Sequence, residues 1–449
     1  MWRHTYAVPF TIPGEQVRVQ PAPRPRADGV LPARLVEILR PSPHRVTPGC
    51  RHFGPDQPAG AVPCGGCAWQ HIAYPEQLRL KTALVTRLVG AAVPGAPAAQ
   101  AMLATTPLEA PWGYRHKVHF VFGNGNAGGR RARLIMGHYA RGSRRVVAVS
   151  ECPVHADDGN ARAFALHDAC VKAGVLAAES ADRRGGGVLK SVAVRVGRRT
   201  AERMMTLVVS DDGDRALRGA TRRALGAAGT ATALHVNVHP RTNAFVFGDV
   251  TRRITGPERL RDEVAGASFL VSPTAFFQTN VDAADVLVEL VRRAVPDGVP
   301  VLDLYAGAGL FALPLARAGH AVVAVEENAV AVADGEASRA LNRIPPERCR
   351  WARATVESAL GRVGAFETVV LDPPREGCSP AVSQRLFAER RPSRVVYVSC
   401  SPETLARDLA VAAGQGYAVE SLQPVDMFPH TPHVETVAVL SRRRQAGAA

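Results

Sequence analysis

Cys400 closes the run Val395-Val396-Tyr397-Val398-Ser399-Cys400, a β-branched apolar stretch of the kind that forms a buried strand. Thirty-five residues on, Asp426-Met427-Phe428-Pro429-His430-Thr431-Pro432-His433-Val434-Glu435 carries a carboxylate behind a rigid Phe-Pro turn. A thiol at a strand tip and a carboxylate on a stiff loop make a nucleophile and a base. Upstream, Val301-Leu302-Asp303-Leu304-Tyr305-Ala306-Gly307-Ala308-Gly309-Leu310-Phe311 reads as a strand, a Gly-x-Gly turn and the start of a helix. Such a turn lets the backbone approach a nucleotide-like cofactor. The combination points to covalent catalysis on a nucleobase with a methyl donor.

The chemistry explains why both groups are needed. C5 of a uracil is too weak a nucleophile to take a methyl group unaided. A thiolate that adds to C6 turns the ring into an enolate, and C5 can then attack a sulfonium methyl. A base must next remove the C5 proton so that the cysteine can leave. Cys400 suits the first task and Glu435 the last, with His433 beside it as a positioning residue. The helix that begins near Pro402 should lower the pKa of the thiol. The acid of Thr368-Val369-Val370-Leu371-Asp372-Pro373-Pro374-Arg375-Glu376-Gly377 ends another strand, where a stiff Pro-Pro turn can hold Asp372 against a planar base.

At the glycine turn, Tyr305 and Gly307 are candidate cofactor contacts, and Glu326, which ends Ala321-Val322-Val323-Ala324-Val325-Glu326, suits ribose hydroxyls. NAD would fit the same pattern. Position 312 is Ala, where the dinucleotide fingerprint has its third glycine, and Asp303 precedes the turn. Both favour S-adenosylmethionine.

These groups need a scaffold. Strand-like runs at 300–305, 321–326, 366–371, 394–399 and 434–440 alternate with helix-like runs such as 281–294 and 402–414, which predicts an open, mostly parallel sheet covered on both faces. Residues 110–265 alternate strands and turns, with helices between some of them. Tyr74 to Val93 has helical periodicity. The expected division is 1–45, a small β domain or basic arm; 46–265, an α+β part; and 266–449, the α/β catalytic part.

The chain has 449 residues and a net charge of +15, which favours a polyanionic partner such as nucleic acid. Among its 55 basic side chains only Lys81, Lys117, Lys172 and Lys190 are lysines. That bias reflects genome composition, but it does not account for the excess of positive charge. No run is apolar enough to span a membrane and no signal peptide is evident, so a cytoplasmic monomer is expected. Eight unevenly spaced cysteines suit metal binding or catalysis better than disulfides.

The motifs Asp-Pro-Pro-Arg-x-Gly, Val-Val-Tyr-Val-Ser-Cys and Asp-x-Phe-Pro-x-Thr-x-His-Val-Glu, in this order, resemble the TrmA-type RNA (uracil-C5)-methyltransferase family over about residues 45–441. The resemblance implies a Rossmann-like class I S-adenosylmethionine methyltransferase domain with an α+β central insert and a small N-terminal β-barrel of the TRAM type, here shortened. It implies Cys400 as nucleophile, Glu435 as base and Asp372 on the uracil edge. From Ser272-Pro273-Thr274-Ala275-Phe276-Phe277-Gln278-Thr279-Asn280 it implies that Gln278 contacts the cofactor and that Phe276 lines the pocket. Two positions depart from the family pattern: Ser401 stands where Asn or Asp usually follows the catalytic cysteine, and Ala306 and Leu310 replace the usual Cys and Asn.

Cys64-Gly65-Gly66-Cys67, with Cys50 before and Cys152 after, resembles the four-cysteine [4Fe–4S] site of the ribosomal-RNA members. Thirteen residues separate Cys50 from Cys64, a longer gap than the family's, with a Pro/Gly/Ala-rich insert from Pro55 to Pro63 that could loop out. Zinc is the competing occupant. Such a site implies 23S rRNA as substrate, with tRNA the alternative. Trp112-Gly113-Tyr114-Arg115-His116-Lys117 interleaves aromatics with cations, which suits either RNA contact or the edge of a core.

Other readings leave residues unemployed. An N6-adenine or N-methylguanine methyltransferase would use Asp-Pro-Pro but not Cys400 or Glu435. A cytosine-C5 enzyme would carry a cysteine in that segment. An iron–sulfur redox protein with a dinucleotide domain would bind flavin or NAD.

Overall fold

A computed structural model describes residues 5–55, 62–107, 109–127, 130–178, 187–228, 232–240 and 246–443. Most of the insert between Cys50 and Cys64 lies outside the described residues.

The C-terminal half forms an eight-stranded sheet. Its parallel part runs Cys349–Arg353, Val322–Glu326, Val301–Leu304, Thr368–Leu371, Arg394–Ser399 across the sheet. Chain order reverses beside Val301–Leu304, which opens a crevice at the carboxyl ends of the strands. Beyond Arg394–Ser399 lie Glu435–Arg442, antiparallel, then Tyr417–Asp426 and the short Leu103–Ala104. The parallel strands are apolar on both faces because helices cover both, as in Val395 to Val398, all of them buried. The helices Val281–Ala294 and Pro402–Gly414 lie where periodicity put them.

Besides Leu103–Ala104, a helix and half of a hairpin in this α/β unit come from before residue 266. Helix Tyr74–Ala92 packs on Pro402–Gly414, and its Val85 and Val89 join the core formed by Leu302, Val369 and Tyr397. The hairpin Leu260–Val264/Ala267–Val271 turns through Ala265 and Gly266, both at positive φ, the two-residue turn that suits twisted antiparallel strands. It is stitched to helix Ala329–Leu341, where Asp334 accepts from Ser272 N (2.7 Å) and Arg259 Nε (2.7 Å), and Ser338 Oγ accepts from Leu270 N (2.9 Å). A cut at 265/266 falls within this hairpin.

The central part is a seven-stranded sheet with the order Val250–Thr255, Thr232–Val238, Arg203–Val209, Leu189–Val196, Lys117–Ala127, Arg130–Tyr139, Val146–Ala148. One face packs on helix Asp157–Lys172 through Phe120, Leu166, Val192 and Leu207. Residues 6–40 form a three-stranded sheet, Tyr6–Ala7 and Gln16–Pro21 flanking Leu31–Arg40.

Candidate active site

Cys400 follows Arg394–Ser399, and Glu435 begins Glu435–Arg442. The strands are antiparallel, with Ser399 opposite Thr436, so the next pair along sets Cys400 opposite Glu435. This explains how the end of one strand and the start of another meet at one edge of the sheet. Leu371 registers with both Leu304 and Tyr397, so Asp372 emerges between the glycine turn and Cys400. The sheet edge thus gathers Cys400, Glu435, Asp372 and the glycine turn, as the sequence predicts.

The electrostatics differ from expectation at one point. The start of the helix after Ser401 does not win at Cys400: burial, then the carboxyls of Glu435 and Asp372, push the thiol up to about 11, against the pull of Arg375. Burial pushes Asp372 up to about 7. Burial and then Asp372 drive Glu435 well above the usual carboxylate range, with Arg375 again opposing. Asp303, fully buried beneath the turn, is raised by burial and by Asp372. The resting site therefore holds its protons, and Arg375 is the cation that favours their release.

Ser401 caps the helix that follows, its Oγ accepting from Thr404 N (3.4 Å). Asn and Asp cap helices equally well, so the departure from the family pattern preserves this role. Ala306 and Leu310 are buried in the core beneath the turn, where apolar side chains fit.

At the cofactor turn, Tyr305 (φ +61°), Gly307 (φ +54°) and Gly309 (φ +90°) all lie in the left-handed region. Tyr305 is strained there, as residues at binding sites often are. Glu326 Oε2 accepts from Gly307 N (2.9 Å) and Oε1 from Asn328 N (2.7 Å). Each oxygen keeps a lone pair for a ligand hydroxyl. Trp351, which the sequence reading passed over, donates from Nε1 to Gly307 O (3.3 Å). A Cβ on Gly309 or Gly335 would come within 2.7 or 2.4 Å of its ring, so both glycines are needed for the indole to underpin the turn. Gln278 is buried, whereas Phe276 is 73% exposed.

The loop that carries Glu435 is gripped from several directions, by residues that sequence reasoning missed. Lys81 Nζ donates to Asp426 Oδ1 (2.6 Å) and Phe428 O (3.0 Å), and the Lys81 and Asp426 side chains are fully buried. Gln77 Oε1 accepts from His430 N (2.8 Å), while Ala68 N and Trp69 N both donate to His430 O (2.9 Å each). Trp112 stacks on the His430 ring at 4.0 Å, Tyr114 Oη donates to Pro429 O (2.9 Å), and the Arg115 guanidinium lies 5.7 Å from the Phe428 ring centroid. Asn280 Nδ2 donates to Met427 O (3.1 Å). His430 adopts φ +64°, a conformation these bonds enforce. Such partners come from distant chain segments and leave no local signal. Only the odd presence of lysine in an arginine-biased chain marks Lys81.

Cys50, Cys64, Cys67 and Cys152 wall one cavity of about 140 Å³, with His52, Gln70, Arg115, His138 and Glu151 around them. Among the described residues, no three His, Cys, Asp or Glu side chains converge closely enough to hold a single metal ion. Burial raises all four thiols, Cys64 to about 11 and Cys152 to about 12. The other cysteines, Cys170, Cys349 and Cys378, are buried core residues.

An open α/β sheet with a glycine turn at its switch point, and Asp372 beside it, defines an S-adenosylmethionine-dependent methyltransferase. Residues 258–443 match the family model described as tRNA (Uracil-5-)-methyltransferase. The chain is 33% identical over 437 residues to an uncharacterized RNA methyltransferase of Gloeobacter violaceus, covering 96% of this chain and 90% of the relative. It is 34% identical over 441 residues to another from Thermosynechococcus vestitus, covering 96% and 92%. Its fold matches the crystal structure of Pyrococcus abyssi tRNA (uracil-54, C5)-methyltransferase in complex with S-adenosyl-L-homocysteine, with a TM-score of 0.75, 26% identity and coverage of 96% and 95%. The chain belongs to the RNA (uracil-5)-methyltransferase family, and it is an S-adenosylmethionine-dependent enzyme acting on RNA. Among the described residues no helix is long and apolar enough to cross a membrane.

Proposed function

We propose that this protein methylates C5 of a uridine in 23S rRNA through a covalent adduct between Cys400 and C6. The observation that carries the reading is the register of the last two strands, which sets Cys400 against Glu435 beside Asp372. The uridine must leave its stack to reach this edge. Asp372 then takes a hydrogen bond from the uracil edge, and Phe276, exposed next to the buried Gln278, lines the entrance. The Cys400 thiol gives up its proton and its sulfur bonds to C6, which places negative charge on the C5–C4–O4 system near Arg375. Gln278, Tyr305, Gly307, Glu326 and Asp372 would hold S-adenosylmethionine, whose sulfonium methyl would pass to C5 as the S–CH3 bond breaks and S-adenosylhomocysteine is left. Glu435, as carboxylate, removes the C5 proton. The electrons return to re-form the C5=C6 bond and expel the Cys400 thiolate.

The four thiols around one cavity suit a [4Fe–4S] cluster, with Cys50, Cys64, Cys67 and Cys152 as ligands. An all-cysteine set suits a cluster, with a single zinc ion as the competing occupant. A cluster there would cross-link chain segments, and methyl transfer needs no electrons from it. The cysteine set is what favours 23S rRNA over tRNA. The division into a shortened TRAM-like segment, an RNA-binding centre and a catalytic domain, and a cytoplasmic monomer, belong to the same reading.

The test is transfer from labelled S-adenosylmethionine to unmodified 23S rRNA and tRNA transcripts, with nucleoside analysis. 5-Methyluridine in 23S rRNA, lost in Cys400→Ala, is the expected result. 5-Methyluridine in tRNA alone would keep the chemistry and overturn the substrate. A methylated nucleoside that survives Cys400→Ala would overturn the covalent mechanism. Iron and sulfide analysis of anaerobically purified protein should find about four of each per chain; one zinc would overturn the cluster.

A further inference from the structure

In Trp112-Gly113-Tyr114-Arg115-His116-Lys117 the aromatics and most of the polar groups are used by the fold. Trp112, Tyr114 and Arg115 hold the 428–430 loop, and His116 Nδ1 accepts from Val281 N (3.4 Å). Lys117 is different. It is half-buried at the start of Lys117–Ala127, directly opposite Arg195 in antiparallel register. Opposed like charges destabilise a sheet, and burying them adds to the cost. Lys117 has no carboxylate partner among the described residues. Its ammonium lies 5.8 Å from the centroid of the Phe247 ring. His119, on the same face, lies 6.1 Å from that ring and shares a hydrogen bond with Ser191 Oγ (2.8 Å).

The location adds the second half of the argument. Arg195, almost fully buried, donates to Ala275 O (3.1 Å), the residue before the exposed Phe276. Two positions before Lys117, Arg115 lies over Phe428 in the loop leading to Glu435. The strand that carries Lys117 is thus tied through Arg115 to the loop before Glu435, and its partner strand through Arg195 to the segment before Phe276. In a chain that uses arginine for nearly all of its basic side chains, a lysine stands here.

We propose that Lys117, set against the buried Arg195 and walled by Phe247, forms a phosphate subsite that grips the RNA strand beside the flipped uridine. The carboxylates of Asp262 and Asp334 act on Arg195, whereas Lys117 has only burial and Arg195 acting on it; an RNA phosphate supplies the countercharge Lys117 lacks, so affinity for RNA is obtained from an arrangement that costs stability in the free protein. The inference rests on the reading of the substrate as RNA.

With only four lysines, the wild-type chain can be tested directly. It is acylated with an amine-selective reagent near pH 7.5, with and without 23S rRNA or tRNA transcript, and each lysine is followed by mass spectrometry. RNA should slow acylation of Lys117 at least fivefold and leave the exposed Lys172 unchanged. Equal acylation with and without RNA would overturn the subsite, and equal protection by uridine monophosphate or inorganic phosphate would overturn its assignment to an RNA strand. Lys117→Met should weaken RNA binding about tenfold and reduce the slope of log affinity against log salt by about one, while Lys117→Arg keeps the slope. S-Adenosylmethionine binding should match wild type in both variants. An unchanged slope in Lys117→Met would also overturn the proposal. If that variant fails to fold, the protection experiment decides alone. Should the wild-type chain methylate no uridine, the functional reading fails, while protection of Lys117 still tests the subsite.

Discussion

Glu435, Asp372 and Asp303 share one feature, a carboxyl group whose folded pKa is raised by burial, with Asp372 adding to the rise at Glu435 and Asp303. A raised group contributes stability that is fully present below its unfolded value, about 4 for a carboxyl, and lost as pH rises through its folded value. The protein should therefore lose melting temperature between pH 5 and pH 9. Glu435→Gln, which cannot ionise, should melt at the wild-type temperature at pH 5 and above it at pH 9 by scanning calorimetry. A constant difference at both values would contradict the raised pKa. The same variant should retain Cys400 addition but lose proton removal. It should then accumulate an RNA–protein adduct that survives denaturing electrophoresis, with turnover reduced at least a hundredfold. Activity should also rise with pH. With Asp372 near 7 and Cys400 near 11 in the free protein, kcat/KM for RNA should climb from pH 6 to 9; a fall over that range would exclude ionisation of these groups as limiting.

At the scale of elements, the loop 426–435 is held from outside its own strands. Helix Tyr74–Ala92 supplies Gln77 and Lys81, and the segment after Cys67 supplies two backbone donors. Lys81→Met should cost about 3–5 kcal/mol in denaturant unfolding, because it strands Asp426 as a buried, unpaired charge. Gln77→Ala leaves His430 N unpaired and should cost about 1–3 kcal/mol. It should lower kcat while leaving S-adenosylmethionine affinity near wild type; equal losses in both would argue for general unfolding. Strands with an unbroken apolar run, such as Arg394–Ser399, were legible in the sequence. Cys349–Arg353 and Tyr417–Asp426 were not, since one is short and charged and the other mixes polar residues along an antiparallel edge.

For the whole molecule, the cysteine cavity and the catalytic loop share walls. Ala68 and Trp69 follow Cys67 directly and bond His430, Arg115 faces both the cavity and Phe428, and Gly49, next to Cys50, leaves room for Trp112 on His430. Cys67→Ser should raise hydrogen exchange in residues 68–71 and 426–435 together while sparing the strands at 301–304 and 322–326. Exchange that rises only around the cavity would show that the two regions move separately.

The sequence by itself determined the reaction class. The thiol, the carboxylates and the glycine turn occur within short motifs whose residue types the chemistry dictates, and the alternation of apolar runs dictates an open sheet. Tertiary structure decided what depends on distant segments meeting. It set Cys400 opposite Glu435 through an antiparallel register, raised the thiol by burial where a helix start alone would have lowered it, and assigned residues 74–104 to the catalytic core. It also turned most of an aromatic–basic motif into struts for one loop, leaving Lys117 facing Arg195. Burial, register and long-range contact are properties of the packed chain, and no local pattern encodes them.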